Sequence, residues 1–145
     1  MNLFKITCFA VLIILTGCQT AVEKHSERKI EDTPVTDIKA VPFAEFMLNV
    51  NYGNGKHSTF KAIYHKQEGE AAEIEDQLND VNREGEEALH EMKMILSELS
   101  IAKSDADRTV IRHVLEAFNL DDGYDQFQLQ VKWPDGTSRV CKGKE

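Results

Sequence analysis

The sequence predicts an α+β domain: an antiparallel sheet of two β-hairpins with two helices packed on one face, in the order ββ(β)-αα-ββ. Three observations carry that expectation. Phe46, Leu48, Val50 and Tyr52 alternate with Met47, Asn49 and Asn51, the period of two expected of a half-buried strand. Two apolar stripes at helical spacing occupy the middle of the chain. A second alternating run closes it, with Phe127, Leu129, Val131 and Trp133 set against Gln126, Gln128, Gln130 and Lys132.

Order begins near Val41-Pro42. After the first strand, Gly53-Asn54-Gly55-Lys56 supplies turn chemistry, because Asn and Gly tolerate positive φ. Phe60, Ala62 and Tyr64 continue the apolar face on the returning strand, with Thr59, Lys61 and His65 opposite. Ala71–Asp76 reads from its residues either as a short edge strand or as a helical turn, since Ala and Glu favour helix by propensity.

The first helix runs from about residue 84 to residue 99. Leu89, Met92, Leu96 and Leu99 fall on one face, Ala88 and Ile95 widen it, and Glu86 and Glu87 suit the positive end of the helix dipole. Ser104 then reads as an N-cap with Asp107 three residues on. Val110, Ile111, Val114, Leu115 and Phe118 form the second stripe, which residues 119–123 end. Pro134-Asp135-Gly136 turns the last hairpin and 137–142 return.

The amino terminus carries an address. Lys5 and the α-amino group precede an uncharged apolar run over residues 6–15, too short to span a bilayer but suited to a signal-peptide core. Leu15-Thr16-Gly17-Cys18 matches a lipobox, in which Leu15, Thr16 and Gly17 are recognised by the signal peptidase and Cys18 receives the lipid. Residues 1–17 are thus expected to be a signal peptide. A diacylglyceryl group carries two chains, which makes for stable anchoring where one chain binds only reversibly. Residues 18–40 mix charges with Ser, Thr and Pro and contain no aromatic residue, the composition of a tether, and as a flexible coil would span roughly 25 Å. Residues 41–142 form the single domain.

Without Lys5 the chain from Cys18 onward holds 16 basic and 25 acidic side chains, a net charge of −9. That balance argues against nucleic acid, whose phosphates need a basic surface. Of the cysteines, Cys8 leaves with the signal and Cys18 is modified. Cys141 then has no partner for a disulfide, and reads as a small residue on a terminal strand.

No constellation for catalysis stands out. The acidic run between Glu68 and Glu91 sits among polar neighbours and reads as a solvated face. Asp105, Asp107, Thr109 and Glu116 have the spacing of calcium-loop ligands, but Val110 occupies the position that must be glycine. The histidines show no metal-ligand spacing, so no metal or cofactor is expected. What remains is a surface: Asn49, Asn51, Lys61, Gln128, Gln130 and Lys132 share the sheet face away from the helices. Their donors and acceptors suit hydrogen bonding to a partner.

The chain resembles the YusW-like family of small bacterial envelope lipoproteins. The resemblance rests on Phe43 to Tyr52, on Ala72-Glu73-Ile74-Glu75-Asp76, and on Gly85-Glu86-Glu87-Ala88-Leu89 leading into Ile95-Leu96. It continues through Val114-Leu115-Glu116-Ala117-Phe118-Asn119-Leu120 to residues 124–132 with Asp135-Gly136, covering about 41–140. It implies a compact α+β domain tethered outside a Gram-positive cell membrane, favours the edge strand for Ala71–Asp76, and transfers no catalytic residue. The expectation is a monomeric, non-catalytic binding or accessory module of the cell envelope. It would be held to the membrane by lipid on Cys18 and meet an envelope protein or cell-wall component. The second reading is an envelope hydrolase or metal-dependent enzyme assembled from His65, His90, His113 and the acidic run.

Overall fold

A computed structural model describes residues 40–67 and 69–144. Four strands come first: β1 (Glu45–Asn51), β2 (Thr59–His65), β3 (Ala71–Asp76) and β4 (Val81–Glu84). Helices α1 (Gly85–Glu98) and α2 (Asp107–Ala117) follow, then β5 (Gln126–Lys132) and β6 (Ser138–Gly143). The strands form a six-stranded antiparallel sheet in the spatial order β4-β3-β2-β1-β5-β6.

The element order is therefore ββββ-αα-ββ, and the expected ββ(β)-αα-ββ is corrected by one strand. Ala71–Asp76 is the strand β3, with Ala72 and Ile74 buried. β4 was missed because it buries no residue and shows no apolar alternation. Its turn creates it: the Asp76 carboxylate accepts from the Leu78 and Asn79 amides at 3.0 and 3.2 Å, and Asp80 adopts φ +54. Asp and Asn suit that local bonding. Gly85, at φ +67, then swings the chain straight into α1.

The pairing register aligns the buried residues. Leu48 faces Ala62 and Leu129, Phe46 faces Tyr64 and Val131, and Val50 faces Phe60 and Phe127. With Ala88, Met92 and Leu96 of α1 and Val110, Val114 and Leu115 of α2, these residues form one core cluster. Phe118 stands where the strands meet the end of α2, its ring 5.7 Å from both Phe46 and Phe60.

Helix ends needed more than local signals. α2 starts two residues later than the expected Ser104 cap: Ala106 is the N-cap, and its carbonyl accepts from Thr109 and Val110. Asp105 closes the preceding turn, accepting from the Ala102 amide at 2.7 Å. At the far end Asn119, φ +51, takes the left-handed position. The Asn119 and Leu120 amides donate to the Glu116 and Leu115 carbonyls, the paired bonds of a Schellman stop.

A single side chain ties the α1–α2 connection to the last hairpin. The Arg139 guanidinium donates to the carbonyls of Ala102, Lys103 and Asp105 and to the Asp107 carboxylate at 2.5 Å. Lys103 adds an ion pair with Asp135 and lies over the Trp133 ring, 5.4 Å from its centre.

Arg139→Ala should lower stability by about 2–3 kcal/mol in urea unfolding, and Arg139→Lys should recover little, because a point charge cannot replace the planar fork. Equal stability of Arg139→Lys and the native chain would show the fork to be dispensable. Leu96→Ala, which empties a fully buried site, should cost about 2–5 kcal/mol.

Acid should destabilise the domain in a defined direction. The hydrogen bond from Lys93 holds the Glu70 carboxyl below its usual value of 4.5, with help from the Tyr64 hydroxyl and against some burial. Arg139 does the same for Asp107. Groups with depressed folded pKa values contribute stability that is present above the unfolded value and lost as pH falls through the folded one. The urea midpoint should therefore decline below about pH 4.5, and less steeply in Glu70→Gln. An unchanged slope in that variant would remove Glu70 from the acid response.

Candidate functional site

The sheet face opposite the buried residues can be written as rows, because side chains alternate and the register is unbroken. One row runs Glu84, Glu73, Ile63, Met47, Gln130 and Val140 from β4 to β6. The next runs Asn82, Glu75, Lys61, Asn49, Gln128 and Lys142. Four of the six candidate binding residues, Asn49, Lys61, Gln128 and Gln130, line one shallow depression of about 190 Å³ where these rows cross β2, β1 and β5.

The other two are occupied nearby. Asn51 uses its side-chain oxygen to accept the Gly53 amide at 2.8 Å, shaping the hairpin loop. Lys132 pairs with Glu45 at 2.9 Å across β5 and β1, and Lys61 pairs with Glu75 at the same distance across β2 and β3. Hydrogen bonds from these lysines hold both carboxyls below their usual range. The paired charges cancel locally, leaving amides as the free polar groups of the depression.

Two apolar residues in that depression were not anticipated. Met47 was grouped with the polar alternates and Ile63 was passed over, yet they are register partners on adjacent strands and both line the depression. The signal was present: each is an apolar side chain out of phase with the buried series of its strand. Val140 extends the same row and is 52% exposed.

The residues of the enzyme reading are dispersed. His65 lies on β2 in the outward series, and His90 is exposed on α1. His113 faces a cavity of about 460 Å³ between the end of α1 and α2, its Nδ1 donating to the Ser100 carbonyl at 3.1 Å. A larger groove of about 850 Å³ follows α2, with Arg108, Arg112, Leu115, Asp122 and Tyr124 among its walls. Among the described residues no group of three or more His, Cys, Asp or Glu side chains is placed to hold a metal ion. Asp105 and Asp107, two of the residues with calcium-loop spacing, serve the α2 turn and Arg139 instead.

Cys141 is buried on β6, its thiol 3.6 Å from the Asp107 carbonyl. Burial, and then the nearby Asp107 carboxylate, push the thiol up to about 11, which leaves little thiolate near neutrality. Leu15, Thr16, Gly17 and Cys18, with the rest of 1–39, lie outside the described residues.

No solved structure matches the chain significantly. A curated relative, the uncharacterized protein YusW of Bacillus subtilis strain 168, is 48% identical over 136 residues, covering 93% of this chain and 92% of that protein. The family model for YusW-like proteins matches residues 44–135, from the residue before β1 into the last hairpin. The chain belongs to the YusW-like family.

Proposed function

We propose that the protein is a lipoprotein anchored on the extracytoplasmic side of the cell membrane through Cys18, and that its domain is a non-catalytic binding module. In this reading α1 and α2 cover one face of the sheet and the other face meets the partner. The observation that carries it is the depression itself: amides of Asn49, Gln128 and Gln130 surround a small apolar floor, and the lysines beside them, Lys61 and Lys132, are already paired. Such a surface can hydrogen-bond and desolvate without burying an unpaired charge. The face carries Met and Ile rather than an aromatic ring for sugar stacking, which favours a protein partner over a glycan. For the anchor, the support is the lipobox Leu15-Thr16-Gly17-Cys18 behind its short apolar run.

Cys18→Ala should shift the protein from the membrane fraction to the soluble extracytoplasmic fraction. Sedimentation of that variant with membranes after a carbonate wash would contradict the anchor. For the face, in-cell crosslinking should capture less partner from the Gln128→Glu, Gln130→Glu double variant while Arg108→Glu, in the α2 groove, captures as much as the native chain. The reverse pattern would assign binding to α2.

A further inference from the structure

We infer that the partner of this sheet face is a second copy of the chain, two sheets packing face to face about a twofold axis that runs along the strands. This rests on the reading of the face as the interaction surface and identifies its occupant. The face is electrically two-ended. Its inner charges cancel in the pairs Lys61–Glu75 and Lys132–Glu45. What is left over is Glu73 and Glu84 at the β3–β4 end and Lys142 at the β6 end, all exposed and without an ion pair among the described residues.

A twofold axis parallel to the strands, passing between β2 and β1, superposes opposite ends. It sets β4 over the second copy's β6, β3 over its β5 and β2 over its β1, given the sheet order. Met47 of each copy then meets Ile63 of the other at the centre, where the floor of the depression is apolar. Lys142 of the second copy then lies over Asn82, one row from the row that holds Glu84 and Glu73, and the same meeting recurs at the other end. An axis perpendicular to the strands would instead stack β4 on β4, acid on acid. Charge therefore selects one packing, and that packing keeps strands aligned, the ordinary mode for face-to-face sheets.

The area is adequate. Six strands about 4.8 Å apart and about six residues long, at roughly 3.3 Å each, present on the order of 600 Å² per copy. That is about 1,200 Å² in total, the lower end of the range for specific protein interfaces. The result is a domain that folds as a single copy and associates through a modest, salt-sensitive contact.

The test is co-capture of two differently tagged full-length chains expressed in one cell, after complete solubilisation in mild detergent. Native chains should co-purify. Lys142→Glu in both copies should reduce co-capture about tenfold or more, since it sets like charges against each other at both ends. The double variant Glu73→Lys, Glu84→Lys in both copies should do the same. Pairing Lys142→Glu with the double variant should restore capture, because each end then meets its opposite. Absence of native co-capture, indifference to Lys142→Glu, or failure of the swapped pair to recover would each overturn the dimer. If co-capture fails while other crosslinked proteins still depend on Gln128 and Gln130, the face remains a binding surface with a different occupant. If neither depends on the face, both readings fall.

Discussion

The structure depends on the pairing of β1 with β5. β1 is bonded along its whole length on both sides, with seven register pairs to β2 and seven to β5. The β2 contact is local, closed by a loop over residues 52–58. The β5 contact joins positions 75 residues apart in sequence, Asn51 and Gln126, and everything from β2 to α2 lies between them. Closing so long a segment costs entropy before any contact repays it. The register is what makes closure worthwhile: a slip of one residue would turn Phe127, Leu129 and Val131 out of the core together and bring Gln126, Gln128 and Gln130 in.

Once that pairing is made, the rest has few alternatives. The last hairpin positions Arg139 beside the α1–α2 connection, where one guanidinium donates to three carbonyls and a carboxylate. Residues near the two ends of β1 extend its ladders, with the Ala44 amide donating to Lys132 and the Asp125 amide to Asn51. The same unbroken register that buries one series of side chains lays out the other as continuous rows. The candidate site is thus a by-product of the core: Asn49, Lys61 and Gln128 share a row because Leu48, Ala62 and Leu129 share one beneath it.

What could be read in the sequence was whatever produces periodicity. β1, β2 and β5 show it because each has one buried face, and α1 shows it because Ala88, Met92 and Leu96 recur on one side. The stop at Asn119 was legible from residue type. β4 was not, since a strand that buries nothing leaves no alternation, and its existence rests on an Asp76 turn and on pairing with β3. The Ser104 cap was misplaced because the true start of α2 is set by Asp105 and by Arg139 from another element. The polar half of the site followed from alternation. Its apolar half, Met47 and Ile63, was hidden because the two residues become neighbours only through the register.

The central claim is that this face, and not the helical side, is covered when the protein is in place. Three methionines report on it directly: Met47 on the face, Met94 on α1 at 50% exposure, and Met92 fully buried. Brief peroxide oxidation of intact cells, compared with the dilute separated protein, should yield less sulfoxide at Met47 in cells. Met94 should oxidise equally in both, and Met92 should resist in both. Equal oxidation of Met47 in the two settings, or protection of Met94 in its place, would contradict the account.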